Sequence, residues 1–126
     1  MRKPYRLNVQ VDEERKTVIA RVIGPMPSPV VTTEFMTAYR AIDQVWLYHR
    51  IIDYRKFTGT IDYEDVQDFM QQWHDMAGGA TYSSKVAFVT DNALELARAT
   101  TYDHMTPDRV RSFNTIDQAL DWFAEV

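Results

Sequence analysis

The residues best able to move a proton or hold a metal near neutral pH are three histidines, His49, His74 and His104. None stands three or four positions from another, the spacing that sets two imidazoles on one helix face, and there is no H-E-x-x-H. His49 falls in a strand-like stretch, His74 on the outer half of a helix and His104 in a loop, so each reads as a solvated or hydrogen-bonded side chain. Cysteine is absent, which removes thiolate metal sites, cysteine nucleophiles and disulfides together. Ser83 and Ser84 precede a strand, whereas a serine nucleophile needs a strand-to-helix elbow, and no G-x-S-x-G occurs. Only four glycines are present, with no phosphate cradle of the G-x-G-x-x-G or G-x-x-x-x-G-K kind. The carboxylate pairs Glu13-Glu14 and Glu64-Asp65 suit a hydrated turn and a helix start. The expectation is a protein with no catalytic residue, no metal site and no cofactor, one that works by binding.

One segment has the layout of a binding edge. An apolar run from Val45 to Tyr54 reads as a buried central strand with Asp53 near its carboxyl end. The loop Arg55 to Ile61 then leads to Asp62, an N-cap residue for a helix whose inner face is Val66, Phe69, Met70, Trp73 and Ala77. Ligands and partners gather outside the carboxyl ends of parallel strands, where helix N-termini offer free N–H groups. Thr58, Gly59 and Thr60 lie in that loop, and Asp91 and Asn92 lie at the equivalent end of the next strand. Asp53, Thr58, Gly59, Thr60, Asp91 and Asn92 are therefore the expected partner-binding edge. The plainer role for Thr58 and Thr60 is to satisfy the N–H groups of the helix that follows.

The elements that would position this edge can be read along the chain. Tyr5, Leu7, Val9 and Val11 alternate with Arg6, Asn8 and Gln10, the period-2 pattern of a half-buried strand. A charged turn, Asp12 to Arg15, joins it to a second, β-branched run from Thr17 to Ile23. The proline-rich Gly24 to Pro29 is a stiff loop. Val31, Phe35, Ala38, Tyr39, Ile42 and Val45 then recur at helical spacing, with Ser28 before Pro29, or Thr32 and Thr33, as caps. Gly78-Gly79 ends the second helix, and Lys85 to Asp91 is a short buried strand. Asp91 or Asn92 caps a helix carrying Ala93, Leu96 and Ala97, and Pro107 lies in a polar loop. Val110 to Phe113 is the last strand, and Thr115 with Gln118 forms a capping box for a helix buried through Ile116, Ala119, Leu120 and Phe123. The order β-β-α-β-α-β-α-β-α calls for an α/β fold with a mixed, mostly parallel sheet in one domain spanning residues 1–126.

Composition sets the class of partner. A net charge of -4 with scattered basic residues leaves no phosphate-tracking stripe, so nucleic acid is not expected. No stretch has the length and apolarity of a membrane span, and Arg2 and Lys3 are not followed by the apolar core of a signal peptide. With no cysteine to suggest an oxidising compartment, a bacterial-type cytoplasm is the expected setting. Tyr48, Tyr82, Tyr102 and Trp122 exceed what a small core needs, which points to a homodimer or a similar low oligomer.

This succession resembles the SpoIIAA-like branch of the STAS superfamily, the anti-anti-sigma-factor fold, over nearly the whole chain. The carrying residues are Leu7 to Val11, Val18 to Gly24, Ile51-Ile52-Asp53-Tyr54 entering Phe57-Thr58-Gly59, Lys85 to Asp91, Val110 to Phe113, and Ala119-Leu120-Asp121-Trp122-Phe123. The resemblance implies a non-enzymatic binding module, of a protein-interaction or regulatory kind, without cofactor. Signalling members of the superfamily carry a phosphorylatable serine in an Asp-Ser-Ser-Gly-like motif after the central strand. This chain departs there: aligned from Asp53, the serine positions fall near Gly59 and Thr60, with no serine pair and no following glycine. The scaffold is thus expected without the phospho-switch, Thr60 being the nearest hydroxyl and Thr58 the alternative. A second function fits the same residues: a small-molecule binder with an apolar pocket between helices, lined by some of the aromatic and methionine side chains.

Overall fold

The structure, a computed structural model, describes residues 4–91 and 109–125. The opening strands β1 (Arg6–Asp12) and β2 (Thr17–Gly24) form an antiparallel hairpin, with Leu7 opposite Val22 and Val9 opposite Ala20. Its turn is held by the Asp12 carboxylate, which accepts from the Arg15 N–H at 3.1 Å and pairs with the Arg15 guanidinium at 3.0 Å. The chain continues through α1 (Ser28–Arg40), a 3-10 turn (Val45–Leu47), β3 (His49–Phe57), α2 (Tyr63–Ala77), β4 (Lys85–Val89), β5 (Arg109–Phe113) and α3 (Ile116–Phe123). The sheet order is β1-β2-β3-β4-β5, parallel from β2 onward. The expected α/β class and the mostly parallel sheet are present. The helix expected over Ala93, Leu96 and Ala97, the loop at Pro107, and Asn92, Tyr102 and His104 lie outside the described residues.

Strand alternation divides the core between the two faces of the sheet. On one face Val18, Ala20, Val22, Ile52 and Val86 pack beneath Val31, Phe35 and Tyr39 of α1 and Trp73 of α2. On the other, Ile51, Ala87 and Val89 pack beneath Ala119 and Trp122 of α3. Each apolar side chain fully removed from water contributes about 1.5–3 kcal/mol, so these two layers carry most of the driving force.

Local chemistry explains where the helices begin and end, and it corrects three expectations. First, α1 starts at Ser28 after Pro27 with no side-chain cap, and Thr32 and Thr33 instead turn their hydroxyls back onto the Pro29 carbonyl. Second, α1 stops at Arg40, and Val45, Trp46 and Leu47 form a 3-10 turn after Gln44 takes a left-handed φ of 51°, so the central strand begins only at His49. Third, Asp62 occupies the N-cap position of α2 without a side-chain capping bond; its own N–H donates to the Ser28 hydroxyl at 2.8 Å. The C-terminus of α2 follows expectation, with Gly78 left-handed at φ 60° and its N–H on the His74 carbonyl. The Thr115 and Gln118 capping box of α3 is also present in both directions.

Candidate functional site

The strand-end edge is only partly an edge. Asp53 is the fifth of nine residues in β3, not near its end, and is 5% exposed. It shares the parity of Ile51 and so faces the α3 side of the sheet, where its carboxylate takes two bonds from the Arg55 guanidinium, at 3.0 and 2.8 Å, and one from the Arg55 N–H. Arg21, its register partner on β2, stands 3.8 Å away. Burial works to raise the Asp53 pKa, but the hydrogen bonds and charges of Arg55 and Arg21 outweigh it and the net shift is downward. Asp53 is therefore committed to an internal ion cluster. Its hydrogen bond raises the Arg55 pKa, and Asp91, exposed at the end of β4, adds electrostatically to that shift. Asp53, Arg55 and Asp91 are thus brought together.

In the loop after β3, the Thr58 N–H donates to the Gly24 carbonyl at 3.1 Å, and both Thr58 and Thr60 are exposed. Their hydroxyls make no hydrogen bond among the described residues, and the Asp62 N–H goes to the Ser28 hydroxyl instead. Gly59 serves the fold: a Cβ there would stand 2.9 Å from the Met26 carbonyl oxygen and 2.9 Å from the Phe57 ring. Asn92, the sixth expected residue, lies outside the described residues.

An apolar opening lies elsewhere, between α1, α2 and the sheet. A cavity of about 580 Å³ opens there. Its floor is Ile52 and Tyr54 of β3, Val86 and Phe88 of β4, and Val110 of β5; its walls are Val31 and Phe35 of α1 with Val66, Phe69, Met70 and Trp73 of α2. On α2 these last four recur at spacings of three and four. Only Trp73 among them is fully buried, while Val66, Phe69 and Met70 are half-buried and face the cavity. Gln67, Gln71 and His74, exposed on α2, form a polar rim.

One end of the cavity is built on charge and ring chemistry. The Arg50 guanidinium carbon lies 3.8 Å from the centroid of Trp73 and 5.7 Å from that of Tyr39. The Trp73 indole N–H donates to the Tyr82 hydroxyl at 3.2 Å. Burial pushes the Tyr39 phenol pKa up, against the opposing effect of Arg50. Sequence reasoning placed a possible pocket between helices but named none of its residues, because cavity-facing and core-facing aromatics share one helical period.

A second cluster ties α3 to the sheet. The Lys85 ammonium donates to the Trp122 carbonyl at 2.9 Å and the Glu125 carbonyl at 3.3 Å, at the C-terminal end of α3 where a cation is favoured. The Lys85 N–H donates to His49 Nδ1 at 3.0 Å, and the imidazole stacks on Phe123 with centroids 4.7 Å apart. Burial and the nearby Lys85 charge hold the His49 pKa below its usual value. His49 is thus a neutral structural acceptor. His74 is exposed on α2, and no group of three or more metal-ligating side chains occurs among the described residues.

Of the aromatics expected to supply an oligomer interface, Tyr48 and Trp122 are buried within the protomer, at 7% and 4% exposure. Tyr48 donates to Glu13 at 2.8 Å, Tyr82 is engaged by Trp73, and Tyr102 lies outside the described residues. Among the described residues, no helix is long and apolar enough to cross a membrane.

No family model matches the chain, and no curated protein matches it. Its architecture does match a solved structure, that of an uncharacterised DUF3478-family protein with a SpoIIAA-like fold from Shewanella loihica PV-4. That match has a TM-score of 0.64 at 14% identity and covers 95% of this chain and 94% of the other. Identity at that level speaks for architecture alone, and the conclusion it supports is that this chain adopts a SpoIIAA-like fold.

Proposed function

We propose that this protein is a non-enzymatic binding module that takes a small, largely apolar molecule into the cavity between α1, α2 and the sheet. The observation that carries the reading is the cavity itself, about 580 Å³ with an apolar floor and walls and a polar rim on one helix. Ligand sites span roughly 300–1,000 Å³ and have this kind of lining. The non-enzymatic part rests on the sequence, which holds no motif combining nucleophile, base and orienting group. A bacterial cytoplasm suits a chain without cysteine.

The test is a fluorescence titration with anilinonaphthalene sulfonate, read from the probe's own emission. Saturable binding is expected, and it should weaken at least tenfold in Val86→Phe, which fills the floor while leaving the helices in place. If the folded wild type binds no probe, the reading fails.

A protein partner at the strand-end edge is the second reading, favoured by the exposure of Thr58, Thr60 and Asp91 on neighbouring connections. It keeps those three as contact residues and leaves Asp53 and Gly59 as their support. Its test is partner affinity in Thr60→Glu: a tenfold loss not shared by Thr60→Ala would reveal a surviving phospho-switch, and a change within about threefold is expected because Asp62, Glu64 and Asp65 already crowd that helix start.

A further inference from the structure

β1 is the first strand in the sheet order and, among the described residues, pairs with β2 alone. Every second residue of such a strand turns its N–H and C=O away from the sheet, and folded chains ordinarily block that row with prolines, bulges or charges. The middle of β1 carries none of these. Its register with β2 runs without a shift from Arg6 opposite Ile23 to Asp12 opposite Thr17, and Leu7-Asn8-Val9-Gln10-Val11 holds no charge and no proline. β5, the last strand in the order, differs: Arg109 and Arg111 fall within its five residues, and antiparallel pairing with a copy of itself about its middle sets Arg111 against Arg111.

Read in reverse, β1 is complementary to itself. A two-fold axis at Val9 sets Arg6 opposite Asp12 of a second copy, Leu7 opposite Val11 and Asn8 opposite Gln10, and the axis makes each pair twice. Arg6 is exposed and makes no ion pair among the described residues. Asp12, its side chain 31% exposed, holds Arg15 and keeps carboxylate lone pairs for a second guanidinium. Gln10 gives its amide oxygen to Arg21 at 2.8 Å, which leaves its amide nitrogen to donate across to Asn8. Val11, 41% exposed, would be covered by Leu7. Opposed residues of an antiparallel pair share a face, so Leu7 and Val9, which pack on the α1 side of the sheet, would stay on that side in both copies. Parallel pairing in register would instead set Arg6 on Arg6 and Asp12 on Asp12.

We propose that β1 is a self-pairing edge: two copies of this chain join antiparallel through their β1 strands, centred on Val9, and so merge two five-stranded sheets into one. The contact uses none of Tyr48, Tyr82 and Trp122. It is also independent of the cavity, whose described lining includes no β1 residue. Backbone pairing along a single strand buries little surface, so the dimer forms reversibly in the micromolar range.

The experiment is sedimentation equilibrium of the full chain from about 10 to about 500 µM, the weak end of protein association, on wild type, Arg6→Glu, Asp12→Lys and an equimolar mixture of the two variants. The wild-type mass should rise from 14.7 kDa towards twice that value. Each variant alone opposes like charges at both ends of its dimer and should associate about tenfold more weakly. The mixture should recover, because both ends of the mixed dimer again set a carboxylate opposite a cation. Arg6→Glu removes no ion pair of the protomer, so it decides alone should Asp12→Lys, which gives up Arg15, fail to fold by circular dichroism. A wild type that stays at monomer mass throughout overturns the proposal and would leave the edge to a strand of another protein. A dimer that Arg6→Glu does not weaken, or folded single variants whose mixture fails to recover, also overturns it, since the copies would then meet through another surface or another register.

Discussion

The Arg50 guanidinium carbon lies 3.8 Å from the Trp73 ring centroid, so a β3 side chain and an α2 side chain meet in the lining of the cavity. Trp73 also holds Tyr82 through its indole N–H and packs edge-on against Tyr39 at 5.6 Å. Trp73→Ala should therefore lower the unfolding free energy by about 3–5 kcal/mol, combining lost burial with the space left behind. Denaturant unfolding measures it. A loss within experimental error would show that α2 is not anchored through this residue.

Asp53 offers a test of the ion cluster. Asp53→Asn should cost about 1–3 kcal/mol, less than breaking a fully buried pair because Arg55 and Arg21 both reach water. The pH dependence has a definite sign. The folded pKa lies below the ordinary 3.8, so the stabilisation is present at neutral pH and is lost as pH falls through the folded value. Acid unfolding of wild type and Asp53→Asn should converge at the lowest pH reached; parallel curves would contradict the cluster.

His49 predicts a second, separate pH response. Its folded pKa is depressed below 6.5, so the unfolded chain takes up the proton first, and stability present above that pH declines as pH falls toward the folded value. Protonation removes the acceptor for the Lys85 N–H and sets a cation beside the Lys85 ammonium. Between about pH 7 and about pH 5 the wild type should lose stability more steeply than His49→Gln. Denaturant unfolding at a series of pH values measures it, and identical slopes would remove His49 from the contact.

Ser28 holds the N–H of Asp62, the N-cap residue of α2, at 2.8 Å. Ser28→Ala should cost about 1 kcal/mol by leaving the Asp62 N–H to water, while Thr60→Ala should stay within about 0.5 kcal/mol. The reverse ranking in thermal unfolding would mean that Thr60, not Ser28, closes the α2 N-terminus.

Elements whose signals are local were legible in the residues, and those set by tertiary context were not. The β1–β2 hairpin followed from alternation, the α2 stop from Gly78, and the α3 start from Thr115 and Gln118, because each signal acts within a few positions. Asp62 sits at the α2 N-cap as expected, but the bond from its N–H to Ser28, 34 positions away, had no local signal. Val45 to Leu47 read as strand since apolar character does not distinguish a strand from a buried 3-10 turn. Asp53 looked like an edge residue until Arg55, two positions on, and Arg21, on the neighbouring strand, were seen to enclose it. Trp122, set aside for an interface, proved to anchor α3 on Ile51 and Ala87. The cavity had no sequence signal of its own: Val66, Phe69 and Met70 keep the same period whether they face a packed core or an open space.

The most direct measurement is a methyl NMR titration of the full chain with anilinonaphthalene sulfonate. Saturable, single-site shifts are expected at Val31, Val66, Met70, Val86 and Val110, which line the cavity, with little change at the exposed Val11 and Leu47. Shifts that never saturate, or that are as large at Val11 and Leu47 as at the cavity methyls, would contradict a ligand site between α1, α2 and the sheet.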